Sequence, residues 1–146
     1  MSSPRSPQQI ALFEALFQLR ADLVLAGEFG DLIDIWDLPV SVVEGPKHYV
    51  LETRRDIWRY QAAMHMGLRT RDVTAIAVQL EEVLDAEQGR LTIVTRWHEA
   101  AQEPLLARSY RVVYSGYEGP NGLRLNGVIT TARENFLDRY APSPKR

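Results

Sequence analysis

The apolar pattern of this chain changes period once, after Arg71, and that change limits the folds open to it. Before Arg71 the apolar residues recur at helical spacing; after it they alternate. Ile76, Val78 and Leu80 alternate with smaller or polar residues, as do Leu91, Ile93, Thr95 and Trp97, and again Tyr110, Val112 and Tyr114. Such a period of two marks strands with one face toward a core. Turn chemistry at Gln88-Gly89, Glu103-Pro104 and Gly119-Pro120-Asn121-Gly122 separates the strands, and Leu123–Thr131 supplies a last one. Helices first and a meander of long antiparallel strands afterwards predict an α+β domain whose helices cover one face of a curved sheet.

The first half carries its own punctuation. Ser6-Pro7 is a cap and first-turn pair opening a helix that runs to about Ala26, before Gly27. Its apolar residues, Leu12, Phe13, Leu16, Phe17, Leu19, Leu23 and Val24, cover an arc wider than one stripe, which predicts a helix wrapped on more than one side. A short amphipathic helix is expected from Asp31 to Trp36. A strand Val40–Val43 then leads through Glu44-Gly45-Pro46-Lys47 into a second strand, His48–Leu51. Thr53 with Asp56 caps the next helix, whose Ile57, Tyr60, Met64 and Leu68 share one face.

With 146 residues the chain is read as one domain, 1–146, with frayed tails at 1–6 and 141–146. A hydrophobic fraction of 45%, a charged fraction of 25% and a net charge of −2 leave no basic excess for a nucleic-acid partner. The absence of cysteine excludes disulfides, thiolate nucleophiles and thiolate metal sites. No apolar leader and no long uncharged stretch is seen, so no membrane partner and a cytoplasmic location are expected. The three histidines, His48, His65 and His98, lack metal-ligand spacing, there is no glycine-rich phosphate loop, and there is no Gly-x-Ser-x-Gly elbow. Neither a metal nor another cofactor is therefore expected. Glu81, Glu82, Asp85 and Glu87 read as a solvated hairpin end.

Two charged residues stand out. Glu44 closes a strand at a Gly-Pro turn, where a carboxylate over an apolar pocket is a candidate acid or base. Arg20 falls inside the apolar arc of the first helix, where a solvated arginine has no reason to be. It is either a structural ion-pair partner, of Glu44 or Asp34, or an anion-binding group in a pocket.

The order of two helices, a small hairpin, a third helix and four long strands resembles the cone-shaped fold of the nuclear-transport-factor-two-like superfamily, over about Gln8 to Phe136. Ala26-Gly27-Glu28-Phe29, Trp36 and Glu44-Gly45-Pro46 resemble its SnoaL-like and ketosteroid-isomerase-like branch. The resemblance places Glu44 on the acid that shuttles a proton in the isomerases and Arg20 on their oxyanion-stabilising tyrosine, a departure that counts against steroid-type chemistry. Tyr110 falls on the second oxyanion-stabilising acid.

The resulting expectation is a domain that binds a small organic ligand, carboxylates included, in an enclosed and largely apolar pocket. The alternative is an isomerase, cyclase or dehydratase with Glu44 as general acid/base and Tyr110 or Arg20 orienting the substrate. Arg20, Trp36, Trp58, His65 and Tyr114 are the candidate ligand-binding residues. A homodimer is expected through the outer sheet face, to which the alternation assigns Val94, Val113 and Val128 with the stems of Arg96 and Arg111.

Overall fold

The computed structural model describes residues 5–120 and 122–131, with Asp31 and Leu32 described in their backbone alone. The expected tail at 141–146, residues 1–4 of the amino-terminal one and Asn121 of the last turn lie outside the described residues. The elements are α1 (Pro7–Ala26), a 3-10 segment (Gly30–Ile35), β1 (Trp36–Glu44), β2 (Lys47–Leu51), α2 (Arg54–Thr70), β3 (Val73–Asp85), β4 (Arg90–Ala101), β5 (Ser109–Gly119) and β6 (Gly122–Thr130). They form an α+β domain with one open, curved six-stranded sheet, in the order β2-β1-β6-β5-β4-β3.

Both α-helices start where the sequence places them, for the reason given there. Ser6 Oγ accepts from the Gln9 N–H and Gln9 Oε1 accepts from the Ser6 N–H, while Thr53 and Asp56 make the same reciprocal pair. α1 stops at Gly27, whose φ of 81° suits glycine and lets its N–H reach the Val24 carbonyl at 3.1 Å.

Three details differ from the sequence reading. The segment expected as a helix over Asp31–Trp36 is the 3-10 turn Gly30–Ile35, and Trp36 already belongs to β1, four residues before the expected strand start. Pro39 obscures that start because it has no N–H for a ladder, and β1 pairs irregularly with β6 between Trp36 and Ser41. The sheet is mixed rather than wholly antiparallel, since β1 runs parallel to β6, the connection between them being β2, α2 and β3 to β5. Finally, the wide apolar arc of α1 is covered only in part: Phe17, Arg20, Ala21 and Val24 form one buried stripe, Phe13 and Leu23 pack half-buried beside it, and Leu12 and Leu19 are exposed.

α1 is tied to the sheet through the free edge of β3. The Gln18 amide accepts from the Val78 N–H at 2.8 Å and donates to the Ile76 carbonyl at 2.7 Å, and Glu14 accepts from the Leu80 N–H at 2.9 Å. These side chains satisfy edge groups that would otherwise need water or another strand, and they set the rotation of α1 that turns Arg20 inward. Arg5 lies over the Phe13 ring and pairs with Asp85 and Glu118, each at 2.7 Å. The sheet bends at an irregularity between Ser115 and Gly116, where a Cβ on Gly116 would lie 2.0 Å from the Arg124 carbonyl oxygen, so only glycine fits.

The core joins Phe17 and Val24 of α1, Ile57 and Leu68 of α2, and Val42, Ile93, Trp97 and Tyr114 of the sheet. Each such burial contributes roughly 1.5–3 kcal/mol. No helix among the described residues is long and apolar enough to cross a membrane.

Candidate functional site

Two stripes face each other across the interior. On β5, residues at every second position, Tyr110, Val112 and Tyr114, make a floor; on α2, residues at every fourth, Tyr60, Met64 and Leu68, make a roof. Between them lies a cavity of about 480 Å³, within the range of small-molecule sites. Trp97 extends the floor onto β4, where it is the register partner of Tyr110 and stacks on it with ring centroids 6.2 Å apart. Among the described residues, Arg20, Glu44, Tyr49, Arg71 and Arg108, with Thr70 and Thr130, add polar groups to the lining. The walls are aromatic and aliphatic, but the lining carries more charge than the expected apolar pocket.

Arg20 is only 2% exposed. Its guanidinium lies 5.1 Å from the Trp36 ring centroid and 5.9 Å from that of Tyr114. The aromatic rings compensate part of the cost of burying the charge. Neither anticipated counter-ion serves it: Asp34 is paired with Arg54 at 2.8 Å, and Glu44 makes no ion pair with it. Arg20 Nε and Nη1 are fully buried and make no well-formed hydrogen bond to any described residue, and the cation lies beside the Tyr114 hydroxyl. The ion-pair reading of Arg20 is therefore not what the structure holds, because α1 delivers the guanidinium to aromatic faces rather than to a carboxylate.

The other arginine at the cavity, Arg71, is arranged in the opposite way. It meets Glu99, whose side chain is 0% exposed, through both guanidinium nitrogens: Nη1 to Oε1, and Nη2 to Oε2 at 3.0 Å. The Tyr110 hydroxyl donates to the same Glu99 Oε2 at 2.8 Å. Two residues of one cavity thus carry the same charge in two states, one met by a carboxylate and the other by π-electrons.

Glu44 falls on the inward row with Thr130 and Val112, and the Tyr49 hydroxyl donates to its Oε1 across the β1–β2 hairpin. Tyr114 is wholly buried and stacked on Phe17 at 4.5 Å, with no well-formed hydrogen bond to its hydroxyl. Burial pushes that hydroxyl above the ordinary tyrosine value, partly opposed by the adjacent Arg20 cation. The folded state therefore holds the Tyr114 proton more tightly than the unfolded chain. The associated stability is complete below the ordinary tyrosine value of about 10 and is lost as the pH rises through the folded value. Urea unfolding between pH 9 and 11 is expected to show stability falling with pH, less steeply in Tyr114→Phe; identical slopes would contradict this account of Tyr114.

The remaining candidates are placed elsewhere. Trp36 does not line the cavity; it backs Arg20, and its Nε1 donates to Gln61 at 3.4 Å. Trp58 is half exposed and packs edge-on against Phe29 at 5.8 Å, outside the cavity, because its position on α2 faces away from the Tyr60 stripe. His65 is also outside: its Nδ1–H donates to the Val24 carbonyl at 2.9 Å, and its ring packs over Gly27, locking the end of α1 to α2. Among the described residues no three of His, Asp and Glu converge where they could hold a metal ion.

No family model matches the sequence, and no curated protein matches it. Solved structures do match its fold. A domain of unknown function with a cystatin-like fold from Nostoc punctiforme superposes with a TM-score of 0.66 at 10% identity, covering 93% of this chain and 84% of that one. An NTF-2-like protein of unknown function from Shewanella oneidensis gives 0.60 at 8% identity, covering 84% and 99%. A ketosteroid isomerase-like protein from Erwinia carotovora gives 0.58 at 10% identity, covering 86% and 96%. The chain has the nuclear-transport-factor-two-like fold.

At such identities the likeness covers backbone architecture, and the site within the nuclear-transport-factor-two-like cone is this chain's own. The residues that sequence reasoning missed are Arg71, Glu99, Arg108 and Tyr49. Glu99 had a readable signal. It continues the inward alternation Leu91, Ile93, Thr95, Trp97 of β4, so a carboxylate there had to be buried and partnered. Arg71 had none, since a basic residue closing a helix is ordinary.

Proposed function

We propose that this domain binds a small organic carboxylate in the cavity between α2 and β5, with Arg20 as its anchor. One observation carries the reading: a guanidinium 2% exposed, on the cavity wall, that no described carboxylate meets. A carboxylate is an acceptor-only anion, and in a partly dry site it pairs with guanidinium far better than a neutral isostere does. Glu44 is held by Tyr49 rather than by Arg20, which supports this use of the cation.

The expected result is an acid preference in a thermal-shift screen of matched carboxylates and amides. At about 100 times Kd the folded state gains roughly 2.7 kcal/mol, a shift of several degrees. Acids are to shift the wild type and not Arg20→Met. Equal shifts for acids and amides, or an acid preference that survives in Arg20→Met, would remove Arg20 from the site.

A second reading, an isomerase, cyclase or dehydratase, is favoured by Glu44 on the cavity wall with the Tyr49 hydroxyl on its carboxylate. Tyr110 fits its proposed catalytic part poorly, because its proton is directed to Glu99. Turnover of a bound acid that is lost in Glu44→Gln but not in Tyr110→Phe would favour this reading.

We also propose that two copies associate through the outer sheet face. Val43, Ile129, Val113 and Val94 align in register across four adjacent strands, with Ile129 46% exposed. Val128, which the alternation had assigned to this face, is instead 1% exposed in the core, because the irregularity between Ser115 and Gly116 shifts the β5–β6 register. Glu81, bonded by Arg111 at 2.8 Å and Arg96 at 3.3 Å, forms a charged network on the same face. Light scattering is expected to give a dimer mass for the wild type and a folded monomer for Val113→Arg; a wild-type monomer at micromolar concentration would contradict it.

A further inference from the structure

The shape of the cavity narrows the ligand class further. Tyr60 to Leu68 spans two turns of α2, about 12 Å at a rise of about 1.5 Å per residue. Tyr110 to Tyr114 spans about 13 Å of β5 at about 3.3 Å per residue. The roof and floor are thus matched in length, a helix ridge over a pleated face, and they bound an elongated slot.

Its two ends differ in charge. Arg20 lies against Tyr114, and Trp36 spans from Arg20 to Tyr60, with ring centroids of Trp36 and Tyr60 6.5 Å apart. Arg20 therefore marks the Tyr114–Tyr60 end. Arg71 meets Glu99 beside Tyr110, at the other end, where Arg108 also reaches the lining. Between the ends the lining presents the rings of Tyr60, Trp97, Tyr110 and Tyr114, with Glu44 and Thr130 beside Val112.

We infer that the ligand is a planar aromatic carboxylate lying lengthwise in the slot, its carboxylate at Arg20 and its ring system between the β5 floor and the α2 roof. The inference rests on the carboxylate reading above and adds the nature of the body. A flat π-system fits a slot bounded by rings, where offset and edge-to-face contacts add to area burial.

Isothermal titration with 2-naphthoate, decahydro-2-naphthoate and 2-naphthamide, on wild type and Arg20→Met, tests both levels. The saturated acid has the bulkier and more hydrophobic body, so area alone would make it the tighter ligand. The inference expects the opposite order, with 2-naphthoate tighter than its saturated counterpart by about fivefold. It also expects 2-naphthoate to bind at least about tenfold tighter than the amide, with that acid preference lost in Arg20→Met. Two acids of equal affinity, or a tighter saturated acid, both weakened in Arg20→Met, would overturn the aromatic inference and leave the carboxylate reading standing. Acid and amide of equal affinity, or no binding of any of the three, would overturn both.

Discussion

Arg71→Ala is expected to lower the stability of the domain by about 3–5 kcal/mol, a fall in melting temperature of roughly 10 °C for a domain of this size. The cause is what it leaves behind. The Glu99 side chain is 0% exposed and is held by both Arg71 nitrogens and by the Tyr110 hydroxyl. Removing the guanidinium leaves a carboxylate that the fold holds out of solvent with one neutral donor in place of a cation. The double substitution Arg71→Met, Glu99→Leu removes both charges and fills the space, so most of the loss is expected to be recovered. Urea denaturation of the three proteins checks this. An Arg71→Ala protein within about 1 kcal/mol of wild type would show that the pair is not buried as described, since losses of that size are those of exposed ion pairs.

Arg20→Met is expected to act with the opposite sign, although Arg20 is a buried arginine of the same cavity. Its guanidinium has no carboxylate among the described residues, and its Nε and Nη1 have no acceptor. Stacking against Trp36 and Tyr114 offsets only part of the desolvation cost. Methionine keeps most of the packed stem and removes the charge, so a gain of about 1–3 kcal/mol is expected. In melting temperature the gain is several degrees. The same substitution should abolish binding of carboxylates, which is the trade expected where a strained, under-satisfied group is kept for function. A thermal melt without ligand is the measurement. A destabilised Arg20→Met would mean that the guanidinium is a structural element of the core.

The sequence makes the architecture legible because its signals are local. Both capping boxes, Ser6 with Gln9 and Thr53 with Asp56, lie within four residues, and the alternation Leu91, Ile93, Thr95, Trp97 assigns an inner face without reference to any partner strand. Arg20 was legible for the same reason, as a charged residue inside an apolar helical arc. What was not legible depends on distant register. The parallel pairing of β1 with β6 joins residues about 85 apart, and the irregularity at Ser115–Gly116 that carries Val128 into the core leaves no mark in the alternation itself. Trp58 and His65 failed as pocket residues because large or polar side chains on a helix flank look alike in sequence whether they face a cavity, a neighbouring helix or solvent. The Arg71–Glu99 pair spans 28 positions, and no spacing rule joins them.

The central claim is that Arg20 is held ready for an anion. Nitrogen-15 NMR of the arginine Nε–H groups addresses it most directly, with the Arg20 signal assigned by its loss in Arg20→Met. On titration with 2-naphthoate that resonance is expected to move, as the guanidinium acquires a charged partner, while 2-naphthamide leaves it in place. An Arg20 signal unmoved by a carboxylate that demonstrably binds the protein would contradict the account.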